Sequence, residues 1–342
     1  MSLVSKAVAS RLMMCCLIAG PLAAVVQAQS KQAPSKNSAK PAADKPTLLR
    51  WKFAKGQRLQ YLMVQDMTTA VSALSTTATL DMDWQVESVD EDGTATINYT
   101  LDRVRMNVKA GAQPAMEADS QNDDAESELA KRMKPIFEAT IGKTGSLVIS
   151  PQGKIDEVQL PPGMADKLKS APALGAMAGM LNEAFFKQMI KSAGLELPEK
   201  AVAPGQTWTQ SQEIKLPVFG RQAVKTTYRF DGVESRGGRT LAKISPDVEV
   251  TLPDADKSME IGEQESSGTI YFDTSAGKIT QLDVEHSVQL NVPFMGQKFT
   301  EEVGTVASLK LISSGGDDDS SAGVEPALPT GDQPKAIKKK PK

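Results

Sequence analysis

The sequence predicts a mainly β fold with some helix (α+β): long antiparallel, coiled sheets from two repeats, arranged as a half-barrel or a sandwich, with a helical segment between them. Three observations carry this reading. Long stretches alternate apolar and polar residues with a period of two, a set of short landmarks recurs in the same order in both halves, and one apolar stretch between the halves has helical spacing. Of the 342 residues, 40% are hydrophobic and 24% charged, which is ordinary globular composition.

Residues 1–28 read as an export signal. Lys6 and Arg11 precede an uncharged, mostly apolar stretch, and Val26-Gln27-Ala28 puts small residues at the cleavage positions. The stretch is too short for a bilayer-spanning helix and contains Pro21. Cys15 and Cys16 lie inside it with Met14 before them, so no lipobox is present. Cleavage after Ala28 leaves no cysteine, which removes disulfides and thiolate chemistry together. The expected location is outside the cytoplasm, periplasmic or extracellular.

Residues 29–46 are a basic linker and residues 313–342 a tail running from Asp317-Asp318-Asp319 to Lys338-Lys339-Lys340; both have the composition of disordered segments. The signal carries a charge of +2, the linker +3 and the tail zero, so residues 47–312 hold −8 of the chain's net −3. A core of that sign argues against nucleic-acid binding. The basic ends offer contact with anionic envelope polymers or lipid.

The first β repeat is read at 47–160, with an acidic insertion at 110–135 treated as a solvated loop, and the second at 198–312. Gly56-Gln57 matches Gly205-Gln206, and Val86-Glu87-Ser88 matches Val233-Glu234-Ser235. Gly145 with Gly153-Lys154-Ile155 matches Gly268 with Gly277-Lys278-Ile279. In the first copy Ala78, Leu80, Met82, Trp84 and Val86 alternate with polar residues; in the second Val224, Tyr228 and Phe230 do so, then Leu282, Val284, Val288 and Leu290. Between Leu101 and Val104 the apolar parity changes from odd to even, which predicts a bulge at Asp102 and Arg103. Asp92-Gly93, Gln152-Gly153, Gly237-Gly238 and Ala276-Gly277 are hairpin turns, and Pro246 marks an edge or bulge.

Residues 161–197 form the only helical segment expected. Leu174, Met177, Leu181, Phe185 and Met189 follow three-and-four spacing, and Gly194 stops the run. One helical cover cannot shield about ten one-sided strands, so the half-barrel alternative leaves an apolar cavity with this segment as its lid.

Catalytic constellations are missing. His286 is the single histidine and shares the apolar stripe with Val284 and Val288; a satisfied core residue and a ligand-facing polar group are both open. No G-x-S-x-G elbow accompanies it. Gly142-Lys143-Thr144 imitates the end of a phosphate loop, but Phe137 stands where its first glycine belongs. Asp90-Glu91-Asp92-Gly93 lacks calcium-loop spacing. The pairs Asp81/Asp83 and Glu263/Glu265 read as solvated outer-face charges. No catalytic residue, metal ligand or cofactor is therefore expected.

Leu49-Arg50-Trp51-Lys52-Phe53, Lys55-Gly56 and Pro204-Gly205-Gln206-Thr207-Trp208 resemble an uncharacterised family of exported bacterial proteins, over roughly residues 47–312. The architecture is also similar to periplasmic lipoprotein carriers and to lipid-carrying mycobacterial lipoproteins, although the missing lipobox departs from the latter. That resemblance implies a coiled sheet whose helices close an apolar cavity, and neither group supplies a catalytic residue. The expected function is non-enzymatic binding of an apolar or amphipathic, lipid-like ligand inside the curved sheet, lined by Met177, Leu181, Phe185, Met189 and His286. The alternatives are an envelope structural or protein-interaction module with a dry core and, third, a carboxylate-based hydrolase. Oligomeric state leaves no mark in the sequence.

Overall fold

The computed structural model describes residues 45–71, 73–122, 127–169, 182–216, 220–253, 260–294 and 297–315. Residues 1–28, expected to be an export signal, most of the expected linker, the residues beyond 315 and the candidate residues Met177 and Leu181 lie outside them. In chain order the elements are β1 (Arg58–Thr69), β2 (Leu74–Val89), β3 (Ala95–Ala110), β4 (Met116–Asp119), α1 (Glu128–Thr140), β5 (Thr144–Ile149), β6 (Ile155–Gln159), α2 (Met164–Lys169) and α3 (Glu183–Ser192). The second half follows with β7 (Thr207–Leu216), β8 (Gly220–Arg236), β9 (Arg239–Thr251), β10 (Glu260–Asp273), β11 (Lys278–Phe294) and β12 (Gln297–Gly315).

All twelve strands belong to one antiparallel sheet, ordered β6-β5-β3-β2-β1-β12-β11-β10-β9-β8-β7, with β4 paired to the upper part of β3. This replaces the sandwich alternative. The joint between the halves is the β1–β12 ladder, from Thr69 opposite Val303 to Arg58 opposite Gly315, so β12 runs on past residue 312. A twisted sheet this wide coils. Met63 of β1 accordingly shares a core with Phe230 of β8, five strands away along the sheet.

The two Gly-Gln turns make equivalent hydrogen bonds, although the strand residue that answers Val86 is Phe230, three residues before the Val233 that the sequence landmarks align with it. Gly56 N–H donates to Val86 O and Val86 N–H to Gln57 O, while Gly205 N–H donates to Phe230 O and Phe230 N–H to Gln206 O. In both turns the Gln amide N–H returns to an alanine carbonyl, Ala54 or Ala203, and both glycines sit in the left-handed region, φ 77° and 87°. The predicted bulge is also present: Asp81 faces Arg103 and Met82 faces Leu101, leaving Asp102 unpaired in the ladder. Pro246 ends the β9–β10 backbone ladder, which stops at Ile244 opposite Ile270. Beyond it, side chains substitute for carbonyls: Val248 N–H donates to Ser266 Oγ at 2.9 Å and Val250 N–H to Gln264 Oε1 at 2.9 Å.

The two free edges, β6 and β7, are joined through the inter-repeat segment, and α3 touches both. Lys191 Nζ donates to Asp156 O in β6, and Gln188 Nε2 to Glu213 O in β7 at 3.4 Å. A helix thus covers the seam that strand pairing leaves open. The helix starts at an Asn182 cap whose side chain accepts from Phe185 N.

A strap from residue 47 to 57 closes one end of the coil. Thr47 and Val202 exchange backbone bonds, Trp51 N–H donates to Pro151 O, and Lys52 N–H to Gly277 O. Trp51 stacks on Phe53 and meets Phe272 edge-on. Its indole donates to Leu195 O at 3.2 Å across Gly153, where any Cβ would collide with both groups.

The expectation of a single helical segment is corrected by α1, which lies in the supposed acidic loop. Ser127 caps it by accepting from Ala130 N, and Leu129, Met133 and Phe137 form a buried stripe. The acidic run before it and Pro135 inside it obscure that spacing.

Candidate functional site

The inner face of the first half is apolar and only half covered. Trp84, Met82 and Leu80 of β2 stand opposite Tyr99, Leu101 and Val104 of β3, and all six are half-buried. Above them α1 seals Leu74, Met106 and Val108; below them the strand ends pack with Ile155, Val158 and Ile190 of α3. Tyr61 meets Trp84 edge-on, with centroids 5.6 Å apart. Tyr99 lies over Gly145, which has no Cβ to obstruct its ring, and donates to Gln159 O at 3.3 Å; burial pushes its phenol up to about 12.

The second half is packed differently. Val224, Phe230, Ile244, Ile270, Leu282 and Val284 are buried on the same inner face. Beneath the C-terminal end of α3 remains a cavity of about 40 Å³, bounded by Leu195, Tyr228, Val248 and Val284, room for about one water and not for an acyl chain. Burial raises the Tyr228 phenol above its ordinary value, and its hydroxyl donates to Gln210 Oε1 at 3.2 Å.

A polar level crosses the inner face between these regions. Thr76 of β2 is opposite Met67 of β1, Met67 opposite Thr305 of β12, Thr305 opposite His286 of β11, and His286 opposite Ser266 of β10. Thr76, Thr305 and His286 are each at most 6% exposed. Thr76 Oγ1 and His286 Nε2 are buried without a hydrogen-bond partner. Burial lowers the His286 pKa, so the ring is held uncharged. Thr76 goes unnoticed in the sequence because a threonine in a strand is ordinarily a surface residue; its even number, shared with Leu74 and Leu80, is the signal that places it inside.

Of the candidate lining residues, Phe185 is buried and Met189 half-buried on α3, which sits along the seam, and His286 is on the inner face of the sheet. The structure therefore does not bring Phe185 and Met189 together with His286 in the 40 Å³ cavity, whose helical wall is Ser192–Leu195.

The carboxylate pairs are not arranged as acid and base. Asp83 accepts from Arg58 Nε at 2.5 Å and Asp81 from Arg105 Nη2 at 2.9 and 3.1 Å, while Glu263 and Glu265 are exposed. Asp83 is more enclosed than a solvated outer-face charge, because Arg58 covers it. Gly142-Lys143-Thr144 is the turn from α1 into β5, with Gly142 at φ 64°. Among the described residues no three His, Asp or Glu side chains gather into a metal-binding group.

The model described as "Family of unknown function (DUF6263)" matches residues 92–281, more than half of the chain. Lipovitellin, in a structure of its lipid–protein interactions, is similar over 80% of this chain and 27% of its own, with 14% identity and a TM-score of 0.45. DynF, from the dynemicin biosynthesis pathway of Micromonospora chersina, matches 82% of this chain and 92% of its own at 6% identity and a TM-score of 0.16. A DUF1329 family protein from Desulfovibrio piger covers 78% and 88%, with 9% identity and a TM-score of 0.17. The chain spans about a quarter of the lipovitellin chain it matches. No curated protein matches the sequence.

Proposed function

Because the chain belongs to that family of unknown function, we propose its role from its own geometry: a non-enzymatic extracytoplasmic protein that takes an apolar or amphipathic, lipid-like ligand onto the inner face of its coiled sheet. The observation that carries the reading is the half-buried stripe of Leu80, Met82, Trp84, Tyr99, Leu101 and Val104, flanked by the α1 cluster at one end and the α3 seam at the other, with Leu80 and Met82 resting on the second half's core. Fully burying one such side chain is worth about 1.5–3 kcal/mol, so each residue left half covered forgoes roughly 1 kcal/mol that an apolar ligand supplies. An N-terminal export signal puts this activity in the envelope, where acyl chains need shielding from water.

Trp84 is the native reporter. Trp51 is buried in the strap, and Trp208 stacks on Tyr228 and donates to Glu196 O at 2.8 Å, so neither faces the patch. Titration with oleate or with phosphatidylcholine vesicles is expected to blue-shift the emission of the wild type and to leave Trp84→Phe unchanged. Absence of a response to either probe in the folded wild type contradicts the proposal.

One observation favours a second reading, a structural or protein-interaction module with a dry core: the inner side chains of the second half from Val224 to Val284 are buried in one cluster, and the cavity beneath α3 is only about 40 Å³. That reading requires a silent Trp84.

A further inference from the structure

Resting on the lipid-binding reading above, we propose that His286 is a polar subsite on the inner face that holds the uncharged, oxygen-bearing end of a neutral lipid, a hydroxyl or ester group such as an acylglycerol presents, and that Thr76, three strand spacings or about 14 Å away at the same level, is a second such contact. His286 Nε2 and Thr76 Oγ1 are both buried and unpartnered. A buried polar atom without a partner loses its hydration with no return, so each of the two marks a point on the inner face where a ligand's polar atom completes the bonding. The neighbouring Ser266 is already committed, accepting from Val248 N and donating to Asp247 Oδ1 at 2.5 Å.

The level adjoins the half-covered patch. Thr76 stands two inner-facing positions from Leu80 on β2, and Met67, half-buried on β1, separates Thr76 from Thr305 and His286. A chain lying over Leu80, Met82 and Trp84 points its end toward this level, at the border of the α1 cover over Val108, which Thr76 faces.

The charge pattern sets the ligand class. Arg105, Lys225, Arg229, Lys243 and Lys310 occupy the outer parity of their strands, beside Asp81, Glu249 and Asp231 in three cases. With these cations turned away, a phosphate or carboxylate at His286 would be desolvated without a counter-charge. The unpartnered Nε2 of an uncharged imidazole is a donor or an acceptor according to tautomer, and Thr76 offers a hydroxyl of either sense. That set suits hydroxyl and ester oxygens.

The single histidine makes the test direct. Protein labelled with nitrogen-15 in His286 is titrated with monooleoylglycerol, with oleate above its ionisation range and with phosphatidylglycerol vesicles, while Trp84 emission is followed in parallel. The expected result is that monooleoylglycerol moves the His286 ring-nitrogen signals together with Trp84 emission and binds more tightly than the two anionic probes. His286→Leu should weaken it about fivefold, one neutral hydrogen bond, and His286→Gln should restore most of the loss. Binding reported by Trp84 with unmoved ring nitrogens, equal affinity in His286→Leu, or tighter binding of oleate overturns the subsite and leaves the lipid reading standing. Silence of both reporters towards every probe overturns the lipid reading and the subsite with it.

Discussion

Two halves of one sheet carry the same alternation and meet different covers. On β8 to β11 the inner side chains close over one another: Phe230 and Ile244 are wholly enclosed, and the strap, Leu195 and Leu197 fill the end of the coil. On β2 and β3 the same kind of stripe, Leu80 to Trp84 facing Tyr99 to Val104, stays half-buried throughout, Leu80 and Met82 packing against the second half's core, Val104 against the α1 cluster, and Trp84 and Tyr99 against the β5–β6 cluster. The covers differ in kind. β4 and α1 cover the upper part of β3, and the short β5 and β6, six and five residues long, leave the first half without the long partner strands that roll the second half onto itself. One half of the sheet thus forms a packed core, while the other carries a stripe of half-buried apolar side chains.

The largest effect that separates the halves is expected from core truncation. Phe230→Ala should destabilise by about 3–5 kcal/mol, because an enclosed ring leaves a cavity that its neighbours cannot fill. Trp84→Ala, on the half-covered side, should cost less than about 2 kcal/mol despite removing a larger side chain. Chemical denaturation of the two variants checks the contrast, and equal losses would break it.

The seam between the halves ranks next. Asn182→Ala removes the cap of α3 and should cost about 1 kcal/mol, with faster hydrogen exchange in α3 than in β8 or β9. Unchanged exchange in α3 would show that the helix is held by packing alone.

The smallest effect is a pH slope. His286 has a folded-state pKa below its ordinary 6.5, so below that pH the unfolded chain binds a proton that the folded chain does not. Its contribution to stability is present above about 6.5 and is lost as pH falls, at no more than about 1.4 kcal/mol per pH unit. His286→Leu should flatten that part of the stability profile; an identical slope in the variant would place the titration elsewhere.

Much of this molecule was legible from local pattern. The alternation identified the long strands, the glycine turns the hairpins, and the parity change at Asp102 the bulge, because each is decided within a few residues. The β1–β12 joint was not, since Gln60 and Ser313 are brought together by tertiary structure alone. For the same reason a half-barrel and a sandwich read alike. Helix α1 was obscured although Leu129, Met133 and Phe137 have helical spacing, because acid-rich sequence and Pro135 resemble a loop. Trp84 was visible as an apolar-stripe residue, but its partial exposure depends on where α1 and α3 stop, which no local pattern encodes.

Native mass spectrometry of the protein, purified without detergent and measured before and after organic extraction, tests the spare apolar surface most directly. The predicted result is a non-covalent adduct of lipid-like mass that extraction removes, absent from a folded Trp84→Glu variant because a buried charge beside an acyl chain is costly to desolvate. A bare chain in both measurements, together with a Trp84→Glu variant that behaves as the wild type does, would contradict it.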